Sequence, residues 1–217
     1  TRVTSLRITP DVDLGGVLVE VNVDGGDGAD LAQVSVKQDG RSVSVKSGLA
    51  LGAFFLPIHN VSLWSPADPH LYDLEVKLFA DGALVDSVRS YFGMRKISIV
   101  PVEGIPRIYL NEQPLFQMGV LDQGYWPDGL YTAPTDDALR YDIETARALG
   151  YNLIRKHMKI EPSRWYYWAD RLGMLVWQDM PMGNNWSDWG RAHYRDELAR
   201  MLSQLHNHPS VISWVIF

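Results

Sequence analysis

The sequence predicts two structural classes in series: a sandwich of short antiparallel strands, then parallel strands alternating with helices. Three observations carry this expectation. Up to about Met94 apolar residues recur with a period near two. Beyond Arg107, short apolar runs alternate with amphipathic stretches of helical spacing. The last run, Val211 to Phe217, is apolar except for Ser213, which suits a strand covered on both faces.

In the first part, Leu6–Thr9, Val17–Val23, Val34–Lys37 and Ser42–Val45 read as half-buried strands. Phe54–Ile58, Tyr72–Leu78 and Leu84–Val88 extend the series. Asp24-Gly25-Gly26, Asp39-Gly40 and Asp81-Gly82 punctuate it, the last two with the Asp-Gly form of tight hairpin turns. About seven such strands predict an immunoglobulin-like β-sandwich over residues 1–100, and without cysteine it has no disulfide.

In the second part, Tyr109 to Phe116 reads as a small hairpin leading into a first buried strand, Leu115 to Leu121. Thr135 is placed to cap a helix carrying Leu139, Ile143, Ala146 and Leu149 on one face, with Gly150 at its left-handed end. Asn152 to His157 is the second strand. Pro162 opens a helix with Trp165, Trp168, Ala169 and Leu172 inward, closed by Gly173. Met174 to Asp179 is the third strand. Asp188 is the expected cap of a helix with Tyr194, Leu198, Met201, Leu202 and Leu205 on one side, and Val211 to Phe217 is the fourth strand. This order implies a parallel sheet with right-handed crossovers. An open doubly wound sheet and half of an eight-stranded barrel both satisfy it. The loop Asp122–Pro134 lacks Gly-x-Gly-x-x-Gly, which favours the N-terminal half of a (β/α)8 TIM barrel over residues 101–217.

Composition narrows the function classes. A formal charge of −6 with no Lys/Arg cluster argues against a nucleic-acid partner. No apolar stretch reaches membrane-spanning length, and cysteine chemistry is excluded. No cofactor is expected, and the sequence assigns no compartment. The start at Thr1 and the ending within a strand predict an internal piece of a longer protein. Open strand edges in a half-barrel predict self-association.

Barrels of this type carry their chemistry at the C-terminal strand ends. Those ends supply Asp122, then Arg155 and His157, then Gln178 and Asp179. Polar residues closing apolar strands need partners, so a polar cleft is expected there. Arg155 and Asp179 either form a structural ion pair or contact substrate as well. His157 is a ligand contact or a hydrogen-bonded core residue, and Asp122 a contact or a cap of its own loop. Tyr125 and Trp126 are candidate aromatic platforms, whereas Trp165 and Trp168 take core spacing. Two metal-like patterns are set aside. His206-Asn207-His208 precedes the fourth strand, on the barrel floor, and Asp24, Asp27 and Asp30 lack the spacing of a calcium loop.

Several runs together resemble glycoside hydrolase family 2, the β-galactosidase, β-glucuronidase and β-mannosidase group. They are Tyr72–Tyr91 followed by Phe92-Gly93-Met94-Arg95, then Tyr109–Val120, Gly150–Arg155, Asp170–Val176 and Asn207–Ile212. The resemblance implies a retaining hydrolase of β-linked sugars with two catalytic glutamates. It places the acid/base in an Asn-Glu pair directly after the fourth strand and the nucleophile on a seventh strand, both beyond Phe217. It thus implies that these residues alone are inactive. Asp122, Trp126, Arg155, His157 and Asp179, taken from the strand ends and the first loop, are the expected carbohydrate contacts, although the loop Asp122–Gly129 matches neither β-galactosidases nor β-mannosidases well. Arg155-Lys156-His157 departs from the Arg-x-Ser-His of β-galactosidases, and Trp177-Gln178-Asp179 is closer to β-mannosidases. The alternatives are a non-catalytic carbohydrate-binding or interaction module and a metal-using barrel enzyme.

Overall fold

The structure is a computed structural model that describes residues 1–25, 29–183 and 186–216. Gly26 and Asp27, from the expected first turn and the set-aside calcium pattern, lie outside the described residues, as does Phe217 of the fourth strand. The chain divides into two compact units. Thr1–Trp64 with His70–Lys96 makes one, and Ser65–Pro69 with Ile97–Phe217 makes the other.

The first unit is all β. Its strands are β1 (Arg2–Asp11), β2 (Gly16–Asp24), β3 (Leu31–Gln38), β4 (Arg41–Leu49), β5 (Gly52–Pro57), β6 (Tyr72–Ala80) and β7 (Ala83–Phe92). They form two antiparallel sheets, ordered β1-β2-β5 and β4-β3-β6-β7. Strand alternation sends Val17, Val19 and Val21 of one sheet and Val34, Val36, Leu74, Val76 and Leu78 of the other into a single core. Each such side chain contributes roughly 1.5–3 kcal/mol by leaving water. The β3–β4 and β6–β7 hairpins turn through Asp39-Gly40 and Asp81-Gly82. Both residues of each pair have positive φ, the geometry that matches strand twist.

The second unit begins with β8 (Ile97–Val102), β9 (Ile105–Leu110) and β10 (Gln113–Pro114), a three-stranded antiparallel sheet. The β8–β9 hairpin is absent from the sequence expectation. Its turn, Glu103-Gly104, has the same paired positive φ as the Asp-Gly turns but a glutamate at the first position, so the turn signal is silent.

A parallel sheet follows, ordered β11 (Gly119–Asp122), β12 (Leu153–Lys156), β13 (Leu175–Asp179) and β14 (Val211–Val215). The crossovers are α1 (Asp136–Ala148), α2 (Ser163–Leu172) and α3 (Asp188–Leu205). β11 is shorter than the expected Leu115–Leu121 strand. Asn152 takes up the preceding backbone instead, accepting from Met118 N at 2.9 Å and donating to Phe116 O at 2.8 Å. Pairing starts at Gly119, where a Cβ would lie 2.7 Å from the Leu153 side chain, so the strands approach closely only with glycine there.

Caps account for the helix limits. Thr135 Oγ1 accepts from Ala138 N at 3.1 Å, and Gly150 and Gly173 adopt positive φ after α1 and α2. The cap of α3 is Ser187, whose Oγ accepts from Gly190 N, so Asp188 is the first helical residue. Leu149 is exposed rather than buried, because α1 ends before it. On α2, Tyr166 and Asp170 face inward with Trp165 and Ala169, while Trp168 is half-buried and donates Nε1–H to Asp136. Ile154, Val176 and Val211 pack with Ile143, Trp165, Ala169, Met201 and Leu205 into the helix-side core.

Candidate functional site at the strand ends

Asp122, Lys156 and Asp179 are the last residues of three adjacent parallel strands, so the register sets them at one end of the sheet. Alternation then divides them between two faces. Asp122, Lys156 and Gln178 share a row with the helix-side residues Val120, Ile154 and Val176. Arg155, Trp177 and Asp179 fall on the opposite face.

On that opposite face, Arg155 grips Asp179 through two parallel hydrogen bonds, Nε to Oδ1 at 2.9 Å and the terminal nitrogen to Oδ2 at 3.0 Å. Asp179 is fully buried, whereas the Arg155 side chain remains 32% exposed. A paired fork of this kind fixes both planes, and a buried carboxylate demands it. Bonding to Asp179 raises the Arg155 guanidinium further above its already high ordinary value, so the charge persists at every working pH.

His157 lies just beyond β12. Its backbone N donates to Asp122 O at 2.8 Å, and its Nδ1 stands 3.0 Å from Gln123 Nε2. Trp126 closes a tight loop, exchanging backbone hydrogen bonds with Leu130 at 2.7 and 3.0 Å. Its indole N–H is buried with no partner.

Asp122 is not part of the Arg155–Asp179 pair. Its Oδ1 accepts from Gly124 N at 2.7 Å, which makes it a cap of its own loop, and its Oδ2 pairs with Lys156. From there a buried charge network runs along the helix side. Lys156 Nζ reaches Glu161 Oε1 at 2.9 Å, Lys159 Nζ reaches the same oxygen at 3.0 Å, and Lys156 sits 4.3 Å over the Trp165 ring. Glu161 lies ahead of α2 and outside the helix. It is 3% exposed and neutralises two lysines. Burial pushes the Tyr166 phenol far above its ordinary value, so it keeps its proton and donates to Gln178 Oε1. Asp142, on α1 beside this network, is also raised, first by burial and then by the negative charge of Asp122.

The sequence missed Lys156, Lys159, Glu161 and Tyr166. Only Lys156 left a signal, as a cation in register with Ile154 on an otherwise apolar row. No group of metal-ligating side chains occurs among the described residues, and His208 of the His-x-His pattern bonds Asp170 at 2.6 Å.

Residues 1–95 match the family described as glycosyl hydrolases family 2. A putative β-glucuronidase of Formosa agariphila is 28% identical over 162 residues, covering 74% of this chain and 19% of the relative. A β-glucuronidase of Bacteroides fragilis is 28% identical over 196 residues, covering 83% and 27% respectively. A β-galactosidase of Vibrio cholerae is 30% identical over 170 residues, covering 73% and 16%. The solved Parabacteroides merdae β-glucuronidase superposes over 99% of this chain and 28% of its own, with TM-score 0.83 and 25% identity. A Ruminococcus gnavus β-glucuronidase reaches TM-score 0.85 at 21% identity, covering 98% of this chain and 36% of its own, which speaks for the fold. The chain belongs to glycosyl hydrolases family 2. It spans less than a third of the length of the curated relatives named above.

Proposed function

We propose that this chain is part of a retaining β-glycosidase, contributing an immunoglobulin-like sandwich and the first half of a (β/α)8 barrel. The observation that carries the reading is the Arg155–Asp179 fork, one partner buried and the other half-open, at the C-terminal end of the parallel strands. In this reading Arg155 and His157 contact sugar hydroxyls while Asp179 holds Arg155 in plane. Asp122 fixes the first loop through Gly124 N and Lys156. Trp126 walls the pocket.

A retaining mechanism needs two carboxyl groups about 5–5.5 Å apart, one as acid/base and one as nucleophile. Glu161, beside the strand ends, is committed to two lysines, and Glu144 pairs with Arg140 on the surface of α1. Both catalytic carboxylates are therefore proposed to come from outside these 217 residues, which by themselves turn over no aryl glycoside. Which β-linked sugar is cleaved depends on residues beyond this set.

The test is Asp179→Ala in the longer enzyme that carries this chain. Freed from its fork, Arg155 swings, and kcat/KM for aryl β-glycosides should fall about 100-fold or more, as for other misplaced positioning groups. Unchanged kcat/KM would leave Asp179 a structural ion pair and remove the reading's main support.

A further inference from the structure

Resting on the glycosidase reading, we propose that Tyr125 and Tyr131 form a stacking platform for a pyranose ring, and that Lys159 is the positioning residue that sets it. The two tyrosines flank the Trp126–Leu130 turn. Their rings meet edge to face with centroids 5.0 Å apart, and both remain more than half exposed, at 62% and 51%. Of the two platforms expected from sequence, Tyr125 and Trp126, the second is half-buried with its indole N–H shut away from solvent. The tyrosine pair is therefore the exposed aromatic surface of this loop.

Lys159 is what makes the pair a fixed surface rather than a mobile loop tip. Its ammonium has three protons, and the structure shows three acceptors for them: Gly124 O at 2.6 Å, Tyr131 O at 2.8 Å and Glu161 Oε1 at 3.0 Å. The first two bracket the loop at either end of the tyrosine pair. The third neutralises a charge that is 4% exposed. The same nitrogen lies 4.8 Å from the Tyr131 ring centre. Gly124 completes the arrangement. Its φ is +64°, and a Cβ there would lie 2.3 Å from Glu161 Oε1 and 2.6 Å from Lys159 Nζ.

The chemistry points to a sugar. The C–H face of a pyranose stacks on an aromatic ring, and the phenol hydroxyls beside it can exchange hydrogen bonds with ring hydroxyls. Tyrosine loses little side-chain entropy in doing so, having two side-chain torsions. The net charge of −6 disfavours a nucleic-acid strand on the same rings.

The 217-residue chain, labelled with ring-13C tyrosine, is titrated with methyl β-D-glucuronide, methyl β-D-galactoside and methyl β-D-mannoside. At least one sugar should move the Tyr125 and Tyr131 ring signals together. Lys159→Met should accelerate amide exchange at Trp126 and Leu130 at least about tenfold while the β11–β14 ladder keeps its protection, and should abolish the ring response. Lys159→Arg should restore much of both. Tyr131→Leu, on an exposed ring, keeps the sugar test decisive even if Lys159→Met does not fold, and it should abolish the response of Tyr125. The proposal is overturned if neither ring responds to any of the three sugars, if the response survives Tyr131→Leu, or if Lys159→Met leaves the loop amides protected. The glycosidase reading fails on the Asp179→Ala assay alone, whichever way the ring titration falls.

Discussion

The two units bury different things. Among the described residues, the first unit's core is apolar, built on valines and leucines from facing sheets. The buried polar and charged residues, Lys156, Lys159, Glu161, Asp170, Gln178, Asp179 and Ser210, all belong to the second. An apolar core needs only matching volume, whereas each buried charge needs partners at fixed geometry or it is costly. The difference separates an apolar core from one that carries charges. Where the chain could have placed leucine, it places charges that satisfy one another around the strand ends.

The sharpest way to break this comparison is Glu161→Ala. It strips the counter-charge shared by Lys156 and Lys159, and removing one partner of a buried ion pair costs about 3–5 kcal/mol. Hydrogen exchange should report the loss across β11–β14 and leave β1–β7 protected. Leu74→Ala is the counterpart in the first unit, where the cavity costs about 2–5 kcal/mol and the loss should register in β3, β4, β6 and β7. Glu161→Gln should recover little of the second unit's loss, because the amide lacks the charge. If it matched wild type, the network would be packing alone.

Self-association sharpens the comparison more gently. β11 and β14 are the two edges of the parallel sheet, and we expect light scattering to show dimers or larger species that depend on concentration. A monodisperse monomer would show that the edges are covered.

The smallest effect sits on the surface between α1 and α2. Asp136 is lowered to about 2, first by its hydrogen bonds to Arg164 and then by the bond from Trp168. A carboxylate depressed in the folded state stabilises above its unfolded value and loses that contribution as pH falls. The contribution of Asp136 should thus be complete above about pH 4 and gone below about pH 2. Asp136→Asn should unfold slightly earlier than wild type at pH 7, and the two melting curves should coincide near pH 2. A gap that persisted there would assign the effect to hydrogen bonding by either side-chain form.

Much of this molecule is legible from local rules. Alternation gave the strands of the first unit, Asp-Gly gave two of its turns, and Thr135, Gly150 and Gly173 marked helix limits because a cap depends on residues only a few positions away. The strand ends, and with them Arg155, His157 and Asp179, followed from the order of elements. What the sequence could not decide is which charges meet. Asp122 was grouped with Arg155 and Asp179 by position, yet it bonds Lys156 on the opposite face, because neighbouring residues of a strand point to opposite sides. Nothing local marks Glu161 as the carboxylate on which Lys156 and Lys159 converge. Pairings across more than thirty positions, such as Lys159 with Gly124, have no local signature. Their partners are chosen by sheet register and by the cost of burying an unpaired charge, and only the tertiary structure expresses both.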